Sequence, residues 1–104
     1  MSRNFLRSNQ WRERIRPQQL NKEPLCEWCK ALDTVAIADH VDHVIRPDGD
    51  YLLERDSANL QSLCHAHHSV KTNWEKRGSK GAITVGYGTD GYPVLWSIAK
   101  GLHN

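Results

Sequence analysis

Apolar positions in the first fifth of the chain recur at helical spacing. Phe5, Leu6, Trp11, Ile15 and Leu20 fall roughly on one face at steps near four, with arginines between them, which predicts a helix over residues 3–20. Pro17 lies inside it and predicts a kink or break near Arg16, because proline brings no N–H to the helix. "NKEP" at 21–24 reads as a turn. "TVAIADHVDHVI" at 34–45 alternates well enough for a strand, and "RPDGD" at 46–50 carries the Pro, Asp and Gly signals of a loop. "NLQSL" at 59–63 reads as a short extended piece. "CHAHHSVKTNWEKRG" predicts a helix from about Cys64 to Arg77, closed by Gly78. Six of the seven glycines lie from Gly78 onward, so the last quarter changes character. There "AITVGYGTDGYPVLWSI" predicts two short strands around a Thr-Asp-Gly turn, and that turn accounts for the lone Asp90.

Length and composition then limit what these elements can build. A chain of 104 residues is one small domain, and an apolar content of 38% makes a lean core that needs a staple. The net charge of +2 says little, but its distribution says more. Residues 1–24 carry Arg3, Arg7, Arg12, Arg14, Arg16 and Lys22 against Glu13 and Glu23, a surplus of four positive charges. Such an arm suits phosphate groups, although charge alone is explained more plainly by a solvated helix face. No apolar run is long enough to span a membrane, and no signal segment opens the chain, so it reads as a soluble intracellular protein. Three cysteines argue against a closed disulfide framework and leave metal binding open.

Cysteine and histidine spacing supplies the staple. Cys26 and Cys29 form a Cys-x2-Cys pair, and Cys64 and His67 form a Cys-x2-His pair 35 residues after Cys29. Three thiolates and one imidazole suit a tetrahedral zinc ion, since sulfur favours zinc over magnesium or calcium. A closed set of four ligands has no open position for water, so the site reads as structural and its binding energy as folding energy. His65, His67 and His68 all lie close to Cys64. His67 has the spacing that mirrors the first pair and His65 sits too tight, but which histidine binds which ion stays open. If His67 faces the zinc, His68 points about 100° away around the helix, where a second metal can lie.

Strands tend to exclude Asp, yet "ADHVDHVI" at 38–45 carries Asp39-His40 and Asp42-His43. Together with "LCEWC" and "NLQSLCHAHHSVKT" it resembles the HNH endonucleases. The resemblance is strongest to the small phage and prophage members, in which a basic N-terminal helix with a Ser-x-x-Trp-Arg signature precedes the first zinc pair; here that is Ser8 to Arg12. It runs from about Phe5 to about Trp96. The last ligand of the second pair, usually Cys, is His67 here. The resemblance implies an α+β fold: a small ββα-metal (His-Me finger) unit with an N-terminal helix and a structural zinc site. It implies one nuclease domain over 1–104, divided into a basic helix at 1–24, a zinc-framed ββα core at 25–77 and a Gly-rich hairpin at 78–104. It matches Asp42 and His68 to the ligands of a catalytic divalent ion, His43 to the general base and Asn59 to the residue that constrains the catalytic loop.

The chemistry of those residue types agrees with these roles. A neutral imidazole takes a proton from water near neutral pH. An ion held by one carboxylate and one imidazole keeps positions for water and phosphate oxygens, which Mg²⁺ tolerates and which Mn²⁺ and Ni²⁺ also accept. Adjacent strand residues face opposite ways, so Asp42 and His43 can serve one phosphate only at a strand end, a bulge or an edge. His40 falls on the face of Asp42, where it can touch DNA or tune the metal, while Asp39 falls on the face of His43; a polar strand rim is the plainer reading of both. Arg12, Arg14, Arg16, Arg46 and Lys71 are the candidate phosphate ligands. The four tryptophans read as core and zinc cover. Nothing resembles a base-reading helix, so the expected partner is double-stranded DNA with little sequence readout. The phage resemblance adds a terminase as a partner in viral DNA processing or packaging, in the cytoplasm of a bacterial host. Two rivals stand beside this reading: a non-catalytic zinc-finger DNA-binding module, and an interaction protein whose zinc core displays the Gly-rich tail.

Overall fold

Pro17 sets the form of the N-terminal helix. The computed structural model describes residues 8–79 and 82–97. Within them the helix begins as a π-helical stretch, Gln10–Ile15, and continues as α1, Arg16–Lys22. The Arg16 N–H donates to the Trp11 carbonyl five residues back, and Pro17 then opens the α-helical register without an N–H to place. The break expected near Arg16 is therefore a change of helical pitch. Phe5 and Leu6, assigned to the same face, lie outside the described residues.

Cys26 caps the short helix α2, Glu27–Ala31, by accepting from the Cys29 N–H at 3.4 Å. Strand β1 covers only His40–His43, much less than the alternation at 34–45 suggests. Residues 34–39 stay outside the sheet apart from an isolated bridge between Ile37 and Leu25. Val35 and Ile37 are 80% and 78% exposed, while the small Ala36 and Ala38 take the inward positions, so the apolar side chains that suggest a strand there are the ones facing out. After β1 come a loop, helix α3 (Tyr51–Arg55, capped by Asp50), a 3₁₀ turn (Ser57–Asn59) and strand β2, Leu60–Leu63. The two strands pair antiparallel, with His40 opposite Leu63 and His43 opposite Leu60. Helix α4, His65–Lys76, follows at once. It ends where expected: Gly78 takes φ +70, and the Gly78 and Ser79 N–H groups donate back to Glu75 and Trp74. This β1–loop–β2–α4 order is the ββα unit.

Strands β3 (Ala82–Tyr87) and β4 (Pro93–Ser97) form a second antiparallel pair. Asp90 serves its turn by accepting from the Tyr92 N–H at 3.0 Å. Ile83 and Val85 of β3 pack with Cys26, Trp28, Cys29 and Leu63 in the main core, and Leu32, Trp74, Val94 and Trp96 close around them. Gly86 sits where the ladder shifts register, and a Cβ there would meet the Leu32 side chain at 2.8 Å. A smaller cluster, Trp11 and Leu60 with Ile15 and Val41, fastens the N-terminal helix to the β1–β2 hairpin. Among the described residues, no helix is long and apolar enough to cross a membrane.

Candidate active site and metal centre

Helix starts bring the four zinc candidates together. Cys26 caps α2 and Cys29 lies in its first turn; Cys64 caps α4 and His67 lies in its first turn. His67 Nδ1 is 3.5 Å from Cys26 Sγ, 3.4 Å from Cys29 Sγ and 3.5 Å from Cys64 Sγ, and Cys29 Sγ is 3.9 Å from Cys64 Sγ. Four ligands around a tetrahedral zinc, with bonds of about 2.3 Å to sulfur and 2.05 Å to nitrogen, give edges of about 3.6 Å (S to N) and 3.8 Å (S to S). The four separations match that ion's geometry closely. All four ligand atoms lie within 4.8 Å of one another. Of the three nearby histidines, His67 is the one brought to the sulfurs. Burial lowers its pKa, while a hydrogen bond to the Val85 backbone of β3 works the other way and fixes the ring with Nδ1 toward the thiols.

The thiols show why a cation belongs there. Burial raises the Cys26 thiol, yet hydrogen bonds to the backbone and thiols of Cys64 and Cys29 together outweigh it and bring it below its usual value. Cys29 is pushed up to about 12 by burial and by the neighbouring Cys26 and Cys64 thiols. Sulfurs this close cannot all ionise against one another, and a divalent cation is what reconciles them. Trp28, fully buried, covers the centre with its ring 5.7 Å from His67, and its indole N–H donates to Gln61 Oε1 at 3.3 Å.

Asp42 and His43 close β1 and address different neighbours, as the alternation of a strand requires. Asp42 is 3% exposed and faces α4. Its Oδ2 lies 3.9 Å from His68 Nε2 and 3.2 Å from Lys71 Nζ, while its Oδ1 accepts from the His43 N–H at 2.8 Å. Two atoms bound to one ion at about 2.1 Å each stand at most about 4.2 Å apart, so Asp42 and His68 are close enough to share one. The His68 pKa is lowered, chiefly by burial and also by His40, Lys71 and His65, with Asp42 opposing, which favours the neutral ring that a metal needs.

His43 is fully buried, stacked on Trp11 with ring centroids 5.6 Å apart and planes 24° apart. Its Nε2 lies 3.0 Å from the Glu54 carbonyl oxygen. A carbonyl only accepts, so Nε2 carries the ring proton and the lone pair sits on Nδ1. Burial lowers the His43 pKa against the raising effects of the Glu54 carbonyl and Asp42. The imidazole is held in one tautomer by the loop and in one plane by Trp11.

Asn59 is fully buried and ties the loop between the strands. Its Oδ1 accepts from the Ile45 N–H at 2.7 Å, and its Nδ2 donates to the Ile45 and Leu53 carbonyls at 2.9 and 3.0 Å. These contacts hold the loop backbone, as the resemblance implies for Asn59. Asn59→Ala leaves those three loop groups without their partner and is expected to cost about 2–3 kcal/mol in urea denaturation. An unchanged midpoint would remove Asn59 from the support of the loop.

Lys71 departs from expectation. It is 1% exposed, and its ammonium lies between Asp42 Oδ2 and Glu75 Oε2, at 3.2 and 2.9 Å. Its helical position turns it into the protein, so it anchors the Asp42 carboxylate instead of projecting toward a phosphate. Glu75 was recoverable from the sequence as its partner four residues on. The arginines are solvent-facing or half-buried: Arg12 bonds Asn9, Arg14 is exposed, Arg16 donates to the Asp39 carbonyl at 2.8 Å, and Arg46 pairs with Asp48 at 2.9 Å. Arg46 also lines a cleft of about 240 Å³ together with Asp42, His68, Thr72, Glu75 and Lys76. Trp11 on His43 and the Glu54 carbonyl left no sequence signal, because both contacts depend on how distant segments pack. His40 is more than a strand rim: its ring stacks on His68, centroids 4.2 Å apart and planes within 2°.

No family model matches the chain, and no curated protein matches it. Among solved structures, it is similar to the crystal structure of the HNH endonuclease of the deep-sea thermophilic bacteriophage GVE2 with manganese ion. Identity is 39%, the TM-score is 0.66, and the match covers 73% of this chain and 83% of the phage protein. A likeness that close, extending over most of both proteins, marks common membership, and this chain belongs to the HNH endonuclease family.

Proposed function

We propose that this protein is a metal-dependent DNA endonuclease in which His43 activates the attacking water and Asp42 and His68 hold one divalent ion. The observation that carries the reading is the His43 ring, with its Nε2 proton committed to the Glu54 carbonyl, one residue from an Asp42–His68 pair able to share an ion. When bound, that ion supplies charge relief at the scissile phosphate and at the leaving 3′ oxygen. His43 Nδ1 takes the proton of the water, Asn59 keeps the loop that carries Glu54 in register, and Lys71 holds Asp42 in place. Mg²⁺, Mn²⁺ and Ni²⁺ all suit an oxygen and nitrogen ligand pair, and the phage GVE2 nuclease is seen with manganese. Cys26, Cys29, Cys64 and His67 hold a structural Zn²⁺ with no position left for water.

Double-stranded DNA is the substrate of this reading. Arg12, Arg14, Arg16 and Arg46 contact its phosphates, with little base readout. The whole chain acts as one nuclease domain, its basic helix (1–24) and Gly-rich hairpin (78–104) flanking the ββα core (25–77). The phage origin of the similar nuclease supports a role in viral DNA processing or packaging beside a terminase, in the cytoplasm of the host. Supercoiled plasmid incubated with the zinc-loaded protein is expected to be nicked when Mg²⁺, Mn²⁺ or Ni²⁺ is added and to stay intact without the added ion. Plasmid that is bound yet uncut with all three ions would leave the non-catalytic zinc-finger module as the function.

A further inference from the structure

The Asp39-His40 dipeptide has no part in the proposed reaction, and His65 is left over by the zinc centre. The fold brings them together. His40 opens β1 and His65 opens α4, and because β2 leads directly into α4 these two starts are neighbours. His40 Nε2 and His65 Nδ1 face one another at 3.3 Å. A hydrogen bond from N–H is commonest at about 2.9–3.0 Å. Two nitrogens bound at about 2.05 Å to one tetrahedral ion stand about 3.35 Å apart. The observed 3.3 Å stands at the long end of the first case and matches the second. The Asp39 carboxylate lies 3.8 Å from the same His40 nitrogen. Arg16 holds the Asp39 carbonyl at 2.8 Å, so the backbone of the pair is anchored. His65 and Asp39 are exposed, which leaves the position open to ions from solution.

From this geometry we infer that His40 and His65, with Asp39 as a third donor, form a transition-metal site distinct from both the Cys3His centre and the Asp42–His68 pair. Two imidazoles and a carboxylate select Zn²⁺, Ni²⁺, Co²⁺ or Cu²⁺ and discriminate against Mg²⁺ and Ca²⁺. The site adjoins the catalytic pair through the parallel stack of His40 on His68. An ion there adds positive charge beside the cleft lined by Asp42 and Arg46 and fixes the ring against which His68 rests.

Equilibrium dialysis of Ni²⁺ against tag-free protein already carrying one zinc tests the site. Wild type is expected to bind one Ni²⁺ more than His65→Ala, and His40→Gln is expected to lose the same ion. Asp42→Ala is expected to retain it, and the Asp42→Ala/His65→Ala double variant to bind one fewer than Asp42→Ala. His65 is exposed and alanine favours helix, so His65→Ala keeps its zinc and its circular dichroism. Equal nickel counts in wild type and His65→Ala would overturn the site. So would a double variant that binds no fewer ions than Asp42→Ala, because His40 and His65 would then only serve the catalytic ion. The count is read without DNA, so it stands or falls separately from the nuclease reading.

Discussion

His43→Ala is expected to lower plasmid nicking by about 10²- to 10⁴-fold, the contribution usual for one positioned general base. The ring is held for that task by two contacts and its backbone by a third. The Glu54 carbonyl takes the Nε2 proton at 3.0 Å, Trp11 stacks on the ring face, and the His43 N–H is bonded to Asp42 Oδ1. Burial lowers its pKa, so the imidazole is neutral and ready to accept a proton at pH 7. Alanine removes the lone pair on Nδ1 and leaves the Cys3His centre and the basic helix as they are. The variant should therefore keep its zinc content and its affinity for DNA, measured by metal analysis and by a gel shift in the absence of added divalent ion. The stack on Trp11 is lost as well, which costs about 1 kcal/mol beyond the buried area, so the melting temperature is recorded alongside. Nicking by His43→Ala at the wild-type rate, with intact zinc, would take the base role away from this residue.

Cys64→Ala is expected to lose the fold and not only the activity. The elements framing the metal centre are short: α2 spans Glu27–Ala31, and the β1–β2 sheet has two strands of four residues each. Neither persists alone in water. Among the described residues, Cys26 and Cys29 are buried members of the main core and also belong to the Cys3His group. Zinc bound to such a centre contributes roughly 10–16 kcal/mol of apparent binding energy, as large as the whole stability of a typical small domain. Circular dichroism with metal analysis checks the prediction, and chelation of wild type should reproduce the loss. His67→Cys is expected to stay folded and zinc-loaded, since it exchanges one suitable ligand for another. A Cys64→Ala protein that is folded and free of zinc would show that the apolar core suffices unaided.

Much of the site was legible in the residues, and the parts that were share a cause. Cys-x2-Cys and Cys-x2-His pairs are local, and each was placed by a helix start that its own sequence specifies. The helix ending at Gly78 and the turn around Asp90 were likewise written in a few adjacent residues. Alternation at 34–45 misled on length: residues 36–38 meet only the short segment at 24–26 and make one isolated bridge, whereas residues 40–43 pair along the whole of β2. Lys71 misled because a lysine on a helix reads as solvated until the neighbouring carboxylates of Asp42 and Glu75 are known.

The sequence by itself determined the chemistry available: four soft ligands in two pairs, an Asp-His ahead of Asn59 and His68, and a basic N-terminal arm. Tertiary structure decided which of those groups meet. It turned His67 toward the sulfurs and His68 toward Asp42, buried Lys71 against Asp42, laid Trp11 over His43 and set His40 against His65. The physical reason is range. Caps, turns and ligand spacings are fixed by bonds within a few residues, whereas the partner of a buried charge or ring is fixed by segments that only packing brings into contact.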